Sequence, residues 1–185
     1  MIISFSGLPG SGKSTIAKKL AEKLGWPRYY MGGIRRQKAK DRGMTLAEYN
    51  KLGETDPSTD NEVDEYQKKL GETEDNFVIE GRTSWIFIPR SLKIFLAVDE
   101  MIGAQRIFDQ LKKENHRNED KDINTLEDLI ASQRKRMGSD RLRYKKYYGI
   151  DVFEEKNYDF VLDTSHLTRE EVLEKIYHFV ESKMA

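Results

Sequence analysis

Cysteine is missing altogether from the 185 residues. Without a thiol the chain can form neither a disulfide nor a thiolate-held metal site, so any lid it carries is not zinc-held. Histidine is scarce, and His116, His166 and His178 fall at no spacing that gathers metal ligands. No apolar run approaches the roughly 20 residues of a membrane span. The N-terminus enters a short strand directly, with neither a basic leader nor an apolar stretch of signal length. A cytoplasmic protein with no membrane attachment is the expectation. Excess charge is also absent, since Lys+Arg and Asp+Glu are both 32. Net charge therefore exerts no general pull toward nucleic acid or an acidic membrane.

Hydrophobic residues make up 37% and charged residues 35%, which suits one domain with an economical core and a highly charged surface. The most specific stretch is Gly7-Leu8-Pro9-Gly10-Ser11-Gly12-Lys13-Ser14-Thr15, directly behind the apolar run Ile2-Ile3-Ser4-Phe5. It reads G-x-x-x-x-G-K-[ST], at a chance frequency of about 4 × 10⁻⁵ per start position for ordinary residue usage. Gly7, Gly10 and Gly12 let the backbone curl so that N–H groups from Ser11 to Thr15 face phosphate oxygens. Lys13 reaches the β- and γ-phosphates, the Ser14 hydroxyl takes a place on Mg²⁺, and the following helix aims its positive end at the same anion. A nucleoside triphosphate is the expected ligand.

Strand and helix patterns alternate along the rest of the chain. Ile16, Ala17, Leu20, Ala21 and Leu24 recur at helical spacing and stop at Gly25, and Arg28 to Tyr30 is a second short strand. Gly32-Gly33 opens a helix to about Arg42, and Thr45 caps another containing Leu46, Tyr49 and Leu52. Asp56-Pro57-Ser58-Thr59 is a turn, after which Asp60 is expected to cap a helix with Val63, Tyr66 and Leu70 on its inner face. Phe77 to Ile79, Leu92 to Val98 and Phe160 to Leu162 are further apolar strands. A helix carries Met101, Ala104, Ile107, Phe108 and Leu111, and 112–124 is a polar excursion. Thr125 with Asp128 and Thr168 with Glu171 open the last two helices as capping boxes. All-apolar strands alternating with helices predict a parallel sheet covered on both faces, with ligands at its carboxyl end.

Phosphoryl transfer to a phosphate acceptor crowds anions together, and fixed arginines offset their repulsion. Arg82 follows a strand end, Arg36 lies near the start of the second helix, and Arg106 leads into the polar excursion. Glu80 ends an apolar strand, where it can accept hydrogen bonds from Mg²⁺-bound water; Asp99, one strand later, can do the same or merely cap a helix. Arg136, Asp140 and Arg143 share one helical face with Ser139 beside them. That face either holds a phosphate together with a sugar or base donor, or is an ion pair on a wet helix.

The residues resemble the nucleoside monophosphate kinases, and more closely the short archaeal-type cytidylate kinases. The matching elements run nearly end to end. They are the Gly7–Thr15 loop; Gly32-x-x-x-Arg36 with Arg42-Gly43-Met44-Thr45-Leu46-x-x-Tyr49-Asn50; Glu80-Gly81-Arg82; and Arg136-x-x-Ser139-Asp140-x-x-Arg143-Tyr144-Lys145 through Tyr148-Gly149-Ile150-Asp151. The resemblance implies that Arg36 and Arg82 grip the acceptor monophosphate and that Arg106 closes on the donor phosphates. It also implies that Arg136, Asp140 and Arg143 contact the acceptor nucleotide, which favours CMP or dCMP over AMP. Two positions depart from the family's pattern: Gly33 stands where Asp is usual, and Gln110 where a second lid arginine is expected.

These readings combine into a P-loop α/β kinase with a five-stranded parallel sheet. Its single domain, 1–185, would comprise a core (1–30, 75–111 and 125–185), an acceptor-binding insertion at about 31–74 and a lid at about 112–124. Lys13, Arg82, Arg106 and Arg136 would be catalytic, with ATP as donor and Mg²⁺ on its phosphates. A monomer acting on CMP or dCMP, without nucleic acid, is expected. The alternatives are an adenylate or other small-metabolite kinase, or a nucleotide-dependent switch touching RNA through the basic 134–146 stretch.

Overall fold

A computed structural model describes residues 1–113 and 123–184. Strands β1 (Ile2–Gly7), β2 (Arg28–Tyr30), β3 (Phe77–Glu80), β4 (Leu92–Ala97) and β5 (Phe160–Asp163) form one sheet in the order β2-β3-β1-β4-β5, with every pair parallel. Helices α1 (Lys13–Leu24), α2 (Met31–Asp41), α3 (Leu46–Gly53), α4 (Ser58–Thr73), α5 (Ser84–Phe87), α6 (Glu100–Lys113), α7 (Leu126–Tyr148) and α8 (Arg169–Met184) connect and cover the strands.

Side chains alternate across the central strands, as a pleat requires. Ile3, Phe5, Ile94 and Leu96 pack with Ile16, Leu20 and Ile176 from α1 and α8. Ile2, Phe77 and Ile79 pack on the other face with Met31, Val63, Leu70 and Ile88, and Phe95 joins Tyr144, Val152 and Phe153. Each large side chain so buried contributes about 1.5–3 kcal/mol. Because both faces of β1 are covered, its carboxyl end is a fixed platform in the middle of the sheet.

The capping boxes at Thr45/Glu48, Thr125/Asp128 and Thr168/Glu171 are formed. Two expectations on α4 are corrected. Asp60 is not a cap: the helix already begins at Ser58, where Asp56 Oδ1 accepts the Ser58 N–H at 2.9 Å. The Asp60 carboxylate is instead taken by two arginines. Tyr66 is 39% exposed, because the inner face of α4 runs through Asp60, Val63, Asp64, Gln67 and Leu70. Helix α5 and a single 3₁₀ turn at Glu155–Asn157 were not anticipated, each being too short to carry a period. Most of the excursion at 112–124 lies outside the described residues. Among the described residues no helix is long and apolar enough to cross a membrane.

Candidate active site

The loop after β1 is held from behind. Leu8 N–H donates to Leu96 O at 3.0 Å, and Thr164 Oγ1 donates to Ser11 O at 3.2 Å. Arg106 donates to Gly10 O (3.4 Å), Thr164 O (2.8 Å) and Ser165 O (3.1 Å). Gly10 has φ +77°, and a Cβ there would lie 2.1 Å from the Gly103 carbonyl oxygen of α6. Only glycine permits both that conformation and that approach. Gly12, also left-handed at φ +80°, stands at the N-terminus of α1 with no side-chain cap. No acidic side chain occupies the first turn of α1, so its leading N–H groups remain available to an anion.

A cleft of about 680 Å³ opens over this loop, within the range of small-molecule sites. Its wall includes Gly7, Gly10, Ser11, Gly12, Lys13, Ser14, Thr15, Arg36, Glu80, Arg82, Arg106, Arg136 and Asp140. Burial lowers the Lys13 pKa to about 8; Glu80 opposes that shift, and Arg82, Arg136 and Arg36 add to it. Four cations thus bear on one volume, which suits a polyanion.

Arg82 reaches Asp140 through Nε at 2.5 Å and donates from NH1 to Gly7 O at 3.4 Å, so the end of β3 is tied to both the loop and α7. Arg36 contacts the Tyr30 hydroxyl and Gly32 O. The Tyr30 ring explains the glycine at 33, because a Cβ there would come within 2.7 Å of Tyr30 Cδ1. Gln110 is on the cleft wall, presenting an amide where a cation was expected.

The α7 face is not a wet ion pair. Arg143 is completely buried and is not on the cleft wall. Its NH1 donates to both oxygens of Asp60 (3.2 and 3.1 Å), and its NH2 donates to Asp140 Oδ1 at 2.6 Å. Burial works against charge at Asp140, yet Arg82, Arg143 and Arg136 keep its carboxyl below the ordinary range. Burial likewise disfavours the charge on Arg143, but Tyr144, Asp140 and Asp60 raise its pKa. With Arg35 bound to Asp60, the order Arg35–Asp60–Arg143–Asp140–Arg82 is a buried chain of alternating charge joining α2, α4, α7 and the end of β3.

Arg35 and Asp64 of the wall carry no role in the sequence reading, and Asn50 and Asp60 appear there only as a motif residue and an expected cap. Asp60, Asp64 and Gln67 repeat the i, i+4, i+7 spacing that marked Arg136, Asp140 and Arg143, so a signal was present.

Asp99 caps α6, its Oδ1 accepting the N–H groups of Met101 (2.9 Å) and Ile102 (3.1 Å). Glu80 is differently placed. Arg28 takes its Oε1, while its buried Oε2 has no hydrogen-bond partner and the residue lies on the cleft wall. Among the described residues no cluster of three or more acidic, histidine or cysteine side chains could hold a metal. The Ser14 hydroxyl and the unpartnered Glu80 oxygen are too few to hold a bare cation, and fit a hydrated one held mainly by its own phosphate ligands.

Residues 2–166 match the cytidylate kinase-like family. The cytidylate kinase of Methanocella arvoryzae is 40% identical over 165 residues, covering 89% of this chain and 88% of that protein. The cytidylate kinase of Archaeoglobus fulgidus is 35% identical over 184 residues, 99% of this chain and 96% of that protein. Among solved structures, shikimate kinase from Bacteroides thetaiotaomicron superposes with a TM-score of 0.65 at 15% identity, covering 98% of each chain, which is a likeness of fold.

Proposed function

The chain belongs to the cytidylate kinase-like family and is a nucleoside monophosphate kinase; we propose that it transfers the γ-phosphoryl group of ATP to CMP or dCMP. The observation that carries this reading is that one cleft is lined both by the glycine loop with Lys13 and by Arg36, Arg82, Arg136 and Asp140.

In this reading the loop N–H groups and Lys13 hold the donor phosphates, and Arg106 keeps the loop in shape from behind. Ser14 and Glu80 would hold Mg²⁺, which supplies charge neutralisation on the donor phosphates when bound. Arg36 and Arg82 grip the acceptor phosphate, and Arg136, whose Nε is buried without a partner, faces the reacting phosphates. The acceptor is a phosphate whose second ionisation falls near pH 6, so at neutral pH it attacks as an oxyanion and needs no general base. Catalysis is then alignment plus charge neutralisation, without a covalent intermediate. Arg143 positions Asp60 and Asp140 from behind. Helices α2–α4 would form the acceptor-binding arm, and a monomer acting on small molecules without nucleic acid completes the reading, in keeping with the balanced charge.

Steady-state phosphorylation of CMP, dCMP, UMP and AMP side by side is the test. CMP or dCMP should show the highest kcat/KM, and AMP as best acceptor would overturn the substrate assignment. Slow ATP hydrolysis with salt-sensitive RNA binding, and no acceptor phosphorylation, would favour a nucleotide-dependent switch. Arg136→Ala should raise acceptor KM or lower kcat while the Kd for ATP stays within about twofold. An equal loss of ATP affinity would contradict its role.

A further inference from the structure

Tyr30 ends β2, at the edge of the sheet, and by register lies beside Glu80, the last residue of β3. In-register neighbours on parallel strands point to the same face, so Tyr30 shares the face from which Glu80 acts on Lys13. It is half-buried on the cleft wall, at the carboxyl end of the strands, where ligands gather.

The side chain is held firmly by its neighbours. Its ring lies across the two glycines in the first turn of α2. A Cβ on Gly32 would come within 2.7 Å of Tyr30 Cε2, and one on Gly33 within 2.7 Å of Cδ1. The Arg28 guanidinium stands 5.2 Å and the Arg36 guanidinium 5.9 Å from the ring centroid, and Arg28 is itself anchored on Glu80.

The hydroxyl is only half used. It accepts from Arg36 NH1, which also donates to Gly32 O at 3.3 Å. A phenol also has one proton to give. Among the described residues the Tyr30 hydroxyl donates to no protein group. Glu80 beside it does not take that proton, since Arg28 engages Oε1 and Oε2 has no partner. An N–H donated by a cation polarises the phenol and strengthens its O–H as a donor. The group this chemistry fits is an anionic oxygen brought by a ligand within reach of Arg36.

We infer that Tyr30 is a further acceptor-binding residue: its hydroxyl, accepting from Arg36, donates to an oxygen of the acceptor monophosphate. This rests on Arg36 gripping that phosphate, as proposed above. The phenol adds direction to the grip without adding charge to a cleft that already holds Lys13, Arg36, Arg82 and Arg136.

Tyr30→Phe tests this, because it deletes the oxygen and keeps the ring that packs on Gly32 and Gly33. kcat/KM for CMP should fall about 10- to 100-fold, the loss of one hydrogen bond to a charged group. The KM for ATP should stay within about twofold, with the melting temperature showing that the fold is intact. The loss should be the same for every nucleoside monophosphate the enzyme accepts, because all share the phosphate. Inhibition by cytidine, which lacks it, should be unchanged in the variant. Tyr30→Phe combined with Arg36→Ala should lose less than the product of the two single losses, since the pair acts as a unit. Wild-type kcat/KM in the variant, a loss confined to one base or shared by cytidine, or two losses that simply multiply would each overturn the assignment of Tyr30 and leave the acceptor reading standing. A wild-type enzyme that phosphorylates no nucleoside monophosphate overturns the acceptor reading itself, and this inference with it.

Discussion

Arg143→Met removes the guanidinium at the centre of the buried charge chain while keeping an apolar stem of similar reach. Asp60 and Asp140, 4% and 2% exposed, then lose three charge-assisted hydrogen bonds of 3.2, 3.1 and 2.6 Å. Removing one partner of a buried ion pair costs about 3–5 kcal/mol. Each carboxylate still keeps one arginine, Arg35 or Arg82, so the lower end applies, about 3 kcal/mol. For a chain of this size that lowers Tm by about 6–12 °C. Thermal unfolding followed by calorimetry at pH 7.5, in 0.15 M and again in 1 M KCl, reads the effect. A buried network is poorly screened, so the shift should persist in high salt. Adding Asp60→Asn should cost less than the sum of the two single changes, because it removes a carboxylate that Arg143 no longer serves. A shift below about 2 °C, or one that disappears in 1 M KCl, would refute the reasoning and return Arg143 to the solvent-facing side of α7.

Two further outcomes follow from the donor end. With the Lys13 pKa lowered to about 8, ATP binding should take up a proton above that pH, and the Kd for ATP should rise about tenfold per pH unit well beyond it. Calorimetry in buffers of different ionisation enthalpy measures the uptake, which Lys13→Met abolishes; a Kd flat from pH 7 to 9.5 would contradict it. Gly10→Ala must place a Cβ 2.1 Å from the Gly103 backbone oxygen at φ +77°, whereas Gly12→Ala meets nothing within 4 Å. The first should lower ATP affinity and Tm more than the second, and equal effects would show that the packing against α6 carries no weight.

The phosphate loop and the order of elements were legible because both are local signals, a fixed spacing of residue types and a periodicity. The α7 set was legible as a face, but spacing cannot say what a face meets. Arg143 looked like a ligand contact because a buried arginine and an exposed one share the same sequence signature. Asp60 looked like a cap because its role as a charge partner depends on Arg143, 83 residues away. The sequence singles out Arg36 and not its neighbour Arg35, and only the packing of α2 against α4 shows that both reach the cleft. The glycine at 33 became intelligible once the Tyr30 ring was seen to fill the space a side chain would need. Glu80 and Asp99 were alike at their strand ends, and hydrogen bonding separates them, one capping α6 and the other leaving an oxygen in the cleft.

The nucleotide loop is spelled out by residue 15, yet what holds it arrives much later during synthesis. Its support comes from Leu96 O, the Gly103 backbone, Arg106, and Thr164 with Ser165. A chain still on the ribosome with its emerged portion ending before Thr164 has the motif but lacks the fastenings that shape it. The shape of the loop thereby depends on contacts made as late along the chain as Thr164 and Ser165.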